Sequence, residues 1–193
     1  ARALIKPQNE WFVSLDYNAA EARTVIALLE KSQPECDVHQ WHMDTILQGS
    51  GVIDRDDAKT TFFSWLYNPE SSQIETNYYD RKKVLDKHYD GEYITTMFGR
   101  KIPVGDWKAL NYLIQSTTAD LVIDRAVAID NALEGTKSCV SHVVHDEVVI
   151  DLADEDRDRI GDIKELFSQN KLDTFLVNIK AGKNYYDMGN LVL

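Results

Sequence analysis

The tripeptide His145-Asp146-Glu147 lies between two strand-like runs, Cys139 to Val144 and Val148 to Leu152, so it sets carboxylates at the tip of an expected hairpin. A third strand-like run, Trp11 to Leu15, ends on Asp16 and passes directly into a helical pattern. If these strands are neighbours, Asp16 and Asp146 converge. Two carboxylates meeting at strand ends suit a pair of divalent cations, and with them phosphoryl or nucleotidyl transfer.

The elements that must position these groups follow from apolar spacing. After Asp16, the residues Ala22, Val25, Ile26 and Leu29 mark one helix face, which Lys31 to Glu35, with Pro34, interrupts. A weaker helical pattern covers Val38 to Leu47 and ends at Gly49-Ser50-Gly51. The next helix, from about Asp54 to Tyr67, carries two distinct arcs at 100° per residue. Ala58, Phe62, Trp65 and Leu66 form its expected buried face, while Arg55, Lys59, Phe63 and Tyr67, spaced by four, lie on an adjoining arc. Two cations and two aromatics in a row suit a triphosphate and a flat base; an exposed mixed face is the other reading.

Ser71 to Tyr89 reads as polar helix, and Gly99-Arg100-Lys101, followed by Pro103 and Gly105, as a strand-to-loop passage. The longest helical pattern runs from Trp107 to about Leu133, with Gly135 closing it. An acidic-fronted helix from Glu155 to about Ser168 and a strand around Leu176 to Lys180 complete the chain. Strands recur separately between helices, which points to an α+β fold with a sheet covered on one face by helices.

With 193 residues and 44% hydrophobic content, the chain can bury a core in one domain or in a domain with a subdomain. No leader-like segment and no apolar run of membrane-spanning length is present, so a soluble cytoplasmic protein with no membrane partner is expected. Two cysteines, Cys36 and Cys139, are too few for a disulfide framework. The net charge of −11 opposes bulk electrostatic binding of nucleic acid, so any long DNA grip is expected from outside this chain.

The order of motifs resembles the family A DNA polymerases, the DNA polymerase I type, and especially their phage members. Ser14-Leu15-Asp16-Tyr17-Asn18-Ala19-Ala20-Glu21-Ala22-Arg23 is similar to the first catalytic motif, and Asp37-Val38-His39 to the element preceding the fingers helix. Arg55-Asp56-Asp57-Ala58-Lys59, continuing through Phe63 to Tyr67, resembles the nucleotide-binding helix. Asn111 to Asp120 is similar to the palm helix, and Val144-His145-Asp146-Glu147 to the last motif. The resemblance implies a palm with an antiparallel sheet backed by helices, plus a small helical fingers subdomain. Residues 1–33 would be the first part of the palm, 34–98 the reduced fingers and 99–193 the second part of the palm. A thumb has no counterpart here, so a fragment, or one subunit of a larger polymerase, is expected.

By that resemblance Asp16 and Asp146 are catalytic carboxylates that bind two Mg²⁺ ions, with the Tyr17 carbonyl as a further ligand. Arg55, Lys59 and His39 would meet the phosphates of a dNTP, and Phe63 and Tyr67 its sugar and base. Glu21 would exclude a ribose 2′-hydroxyl and bond Tyr67. Arg100, Asn111, Gln115 and His145 would touch primer-template DNA, with Arg23 and Glu147 in supporting places. Departures are Ser64 and Asn68 where the family has glycines, Asn18-Ala19 for a usual Ser-Gln, and Trp107 for a DNA-contacting Arg. They bear on fidelity and DNA affinity.

The expected function is template-directed addition of deoxynucleotides to a primer 3′ end, with another polypeptide supplying the thumb or DNA grip. Competing readings are a non-catalytic scaffold in a replication assembly and a single-subunit RNA polymerase, against which Glu21 and the His-Asp-Glu ending argue. A zinc site at Cys36, His39, His42 and Asp44 has poor spacing for one tetrahedral ion.

Overall fold

A computed structural model describes residues 2–192. Strand β1 (Trp11–Tyr17) leads into helices α1 (Ala20–Leu28), α2 (Val38–Trp41) and α3 (Arg55–Tyr67), then α4 (Arg81–His88). Strands β2 (Tyr93–Thr95) and β3 (Lys101–Pro103) precede the long α5 (Ala109–Ala132). Strands β4 (Cys139–Val144) and β5 (Glu147–Leu152), helix α6 (Ile160–Ser168), and strands β6 (Val177–Gly182) and β7 (Met188–Asn190) follow. Two compact units result. One comprises the chain up to Asn18 together with everything from Ala119 onward, and the other is Ala19–Thr118.

The first unit is built on an antiparallel sheet in the order β4-β5-β1-β6-β7. The chain's first strand lies at its centre, paired to β5 on one side and β6 on the other, as its non-local character demanded. Alternation sends Val13, Leu15 and Tyr17 to one face and Ser14 and Asp16 to the other. The apolar face is covered by α6, whose buried Ile160, Ile163 and Phe167 recur at helical spacing. Tyr17 stacks on Phe167 at 4.1 Å between centroids and donates its hydroxyl to the Phe167 carbonyl at 2.6 Å. At Gly182 a Cβ would collide with the Asp187 carbonyl, so the turn from β6 to β7 requires glycine.

The second unit is helical with one small hairpin, β2 against β3. Ala58, Phe62, Trp65 and Leu66 are the buried residues of α3, the arc expected from spacing. They pack in one core with Ala22, Val25 and Ile26 of α1 and with Leu110, Leu113 and Ile114 of α5. A 13-residue helix is marginal alone, and burying each large apolar side chain contributes roughly 1.5–3 kcal/mol, so packing decides that α3 is helical. Asp54 begins it by accepting a hydrogen bond from the Asp57 amide at 2.9 Å.

Three local expectations need correction. Helix covers only Arg81–His88 of the segment Ser71 to Tyr89. Upstream, Thr76 Oγ1 accepts from the Tyr78 amide and Glu75 from the Arg81 amide, so polar side chains compete with helical bonding. Gly99-Arg100-Lys101 enters the closing strand of a hairpin, with Gly99 at φ 86° in the bend. The helix expected from Val38 to Leu47 is α2 followed by a wider turn over His42–Ile46, where the Leu47 amide bonds the His42 carbonyl at 2.8 Å.

Candidate active site

Asp16 stands near the end of β1, and the sheet register sets it opposite Glu147 on β5 and Asn178 on β6. Directly paired residues share a face, so these side chains lie beside one another. His145 and Asp146 form the two-residue turn between β4 and β5, with His145 in the left-handed region at φ 56°. The Asp16 carboxyl is pushed up to about 6, first by burial, then by the charge of Asp146 and, more weakly, that of Glu147. A hydrogen bond with Asn178 and the nearby Lys180 pull it partly back. Asp16 therefore lies close enough to Asp146 to feel its charge.

Glu147 is fixed by two hydroxyls. Ser14 donates to Oε1 and Tyr185 to Oε2, the latter at 2.8 Å. Its charge is held beside Asp16. The side chain of Tyr17 is buried with Phe167 and Phe175, so a ligand role there could use only its backbone. Among the described residues no group of three or more His, Cys, Asp and Glu gathers as a metal cage. A carboxylate raised by burial and by a neighbouring carboxylate's charge still fits Mg²⁺, which keeps water and substrate oxygens in most of its positions. A cation between the two carboxylates would relieve the repulsion felt by Asp16.

In the second unit the row on α3 is continuous with α1, α2 and α5. Phe63 and Tyr67 stack at 5.7 Å and 9°, and the Tyr67 hydroxyl donates to Glu21 at 2.7 Å. Gln115 Nε2 reaches the same hydroxyl at 3.4 Å. Burial and the Glu21 carboxylate push the Tyr67 phenol up to about 12, so it remains a donor at neutral pH. Arg55 grips Asp37 through two bonds, Nε at 3.0 Å and a terminal nitrogen at 2.7 Å. His39 lies near Arg55 and Lys59 and 6.0 Å from the Phe63 ring.

His39 is 2% exposed and its pKa is pushed down to about 4, chiefly by burial. It is a neutral imidazole here, able to donate a hydrogen bond but carrying no counter-charge. Arg23 is fully buried and donates to the carbonyls of Pro34 and Cys36 at 2.9 and 2.8 Å, bracing the segment that leads to Asp37. Arg100 donates to the Ser116 carbonyl at 3.1 Å. Asn111 Oδ1 is buried without a hydrogen-bond partner, and His145 is exposed on its turn. Sequence reasoning did not single out Ser14, Asn178, Tyr185 or, as a partner of Arg55, Asp37. Strand alternation two residues before Asp16 was a usable signal for Ser14; the others depend on non-local pairing.

His42, with no exposed surface, bonds the Tyr79 hydroxyl at 2.6 Å, and burial followed by the charge of His39 pushes it down to about 3. Both histidines are thus neutral when folded and titrate near 6.5 when unfolded, so their contribution is intact above pH 6.5 and declines as pH falls toward 4 and 3. The two histidines should contribute a loss of about 2 kcal/mol or more between pH 7 and pH 4, opposed by the protonation of Asp16, and melting curves should show this loss reduced in His42→Gln relative to the wild type.

Structural comparison defines the architecture. The chain is similar to the POL domain of Pol1 from M. smegmatis in complex with DNA primer-template and dNTP, with a TM-score of 0.75 and 18% identity over 95% of this chain and 41% of that one. This is a polymerase-domain fold. The chain spans less than half the length of that neighbour. No protein-family model and no curated protein matches its sequence. Among the described residues, no helix is long and apolar enough to cross a membrane.

Proposed function

We propose that this chain is the catalytic core of a family A DNA polymerase of the phage-like type, adding deoxynucleotides to a primer 3′ end under template direction. The observation that carries the proposal is Asp16, on the polar face of the sheet in a polymerase-domain fold, with its carboxyl raised by burial and by the charge of Asp146 in the β4–β5 turn. These two carboxylates, with the Tyr17 backbone, would hold two Mg²⁺ ions. Bound there, the ions would activate the primer 3′-hydroxyl and stabilise the leaving pyrophosphate.

The chain's own residues do the remainder. Asn178 orients Asp16, and Glu147, tied by Ser14 and Tyr185, keeps a fixed negative charge alongside. Lys59 and Arg55 neutralise the triphosphate, with His39 as an uncharged donor. Phe63 and Tyr67 pack on sugar and base, and Glu21, held by Tyr67, closes the space beside the 2′ carbon. Arg100, Asn111, Gln115 and His145 contact primer-template. On this reading residues 34–98 serve as reduced fingers and the flanking segments as palm. The net charge of −11 supports a partner polypeptide that supplies most of the DNA grip.

Sugar choice tests the reading. A Phe ring offers no hydroxyl to replace the 3′-OH contact that a dideoxynucleotide lacks, so Phe63→Tyr should raise dideoxynucleotide use by at least tenfold. Glu21→Ala should admit ribonucleotides, with slower addition overall because Tyr67 loses its acceptor. Single-nucleotide incorporation with matched deoxy-, dideoxy- and ribonucleotides measures both. Unchanged selectivity in both variants would remove α3 from the nucleotide site.

A further inference from the structure

The strongest cation on the α3 row is already engaged. Arg55 meets Asp37 in a fork, with Nε on one carboxylate oxygen at 3.0 Å and a terminal nitrogen on the other at 2.7 Å. This two-point geometry is the same one by which a guanidinium recognises a phosphate. A triphosphate and Asp37 therefore ask for the same donors. The second carboxylate near Arg55, Asp56, is almost fully exposed and stands farther off at 3.4 Å, so it is the weaker claimant.

We propose that Asp37 is a competing counter-charge that sets nucleotide affinity, occupying Arg55 until a triphosphate displaces it. This rests on the assignment of α3 as the triphosphate site. Asp37 has a second task, since the same side chain accepts the Gln40 amide at 2.9 Å and starts α2. Fixed at that helix start, the carboxylate cannot follow Arg55 toward a ligand, so binding a triphosphate must break the fork. The half-exposed setting of the pair makes that exchange feasible, because solvent-screened ion pairs contribute little. Asp37 would thus favour ligands with enough phosphate charge to outbid one carboxylate: a nucleoside triphosphate displaces it, while a nucleoside monophosphate leaves the fork closed.

The test separates the two tasks of Asp37. Asn and Ser are both good helix caps but carry no charge, so Asp37→Asn and Asp37→Ser keep the start of α2 while releasing Arg55. Calorimetric titration of the full chain with dATP, with and without Mg²⁺, should give affinity about 3- to 10-fold tighter in both variants than in the wild type. The discrimination between dATP and dAMP should shrink. On an Arg55→Gln background the same substitutions should change nothing, because no guanidinium remains to be freed. Unchanged or weaker dATP binding in Asp37→Asn and Asp37→Ser, with Lys59→Ala still weakening the wild type, overturns the proposal and leaves the α3 site standing. Binding that is indifferent to Lys59→Ala and Arg55→Gln, or absent from every variant, removes the α3 site and the proposal together.

Discussion

Asp16→Asn should reduce nucleotide addition by at least a thousandfold while making the folded chain more stable at pH 7. The catalytic half follows from the proposed role, since an amide supplies no charge to a divalent cation and no neighbour can substitute: Glu147 is bound on both oxygens by Ser14 and Tyr185. The stability half follows from linkage. The Asp16 carboxyl is raised to about 6 by burial and by Asp146, against 3.8 when unfolded, so the folded state favours the protonated form. That preference stabilises below pH 3.8 and is lost as pH rises through 6, leaving the ionised group as a strain at neutrality. After allowance for solvent screening of a partly open site, Asn should gain about 1–2 kcal/mol, read as a higher denaturant midpoint. A loss of stability equal to that of an ordinary core substitution would show that Asp16 is structural.

The two members of the carboxylate pair were legible in sequence because each is local, whereas their convergence depended on β1 lying beside the hairpin. Asp16 stands one residue before the end of a strand, and Asp146 sits in a two-residue turn whose flanking β-branched runs fix the hairpin. The two faces of α3 were legible for the same reason, since a 3.6-residue period separates Phe62 and Trp65 from Arg55 and Lys59. What escaped was set by pairing across the chain. Asn178 reaches Asp16 only because β6 joins the far side of β1, and Tyr185 reaches Glu147 from a turn beyond that strand. The three-residue strands β2 and β7 carry too few residues for alternation to register, and Gly189 in β7 argues locally against a strand. The loop before α4 escaped because Thr76, Glu75 and Asp80 bind backbone amides that a helix would have used.

Arg23→Ala should be the most destabilising single change in the second unit, costing about 3 kcal/mol or more. Its side chain has no exposed surface, and its guanidinium satisfies the carbonyls of Pro34 and Cys36 while Gln33 donates to its own carbonyl. Truncation removes the donors from both part-buried carbonyls and opens a cavity the size of a long side chain. Because the braced segment runs into Asp37, the variant should also lose dATP affinity, which Arg23→Lys should not fully restore, since one ammonium cannot span both carbonyls. Chemical denaturation followed by tryptophan fluorescence measures the first effect, as Trp65 is buried in this unit.

Single-nucleotide primer extension by the full chain, at low ionic strength with Mg²⁺ and protein in excess of primer-template, tests the central claim most directly. The account predicts addition of the template-matched deoxynucleotide with one pyrophosphate released per addition, abolished by chelation and by either Asp16→Asn or Asp146→Asn. Addition that survives both substitutions, or none at all with primer-template demonstrably bound, would contradict it.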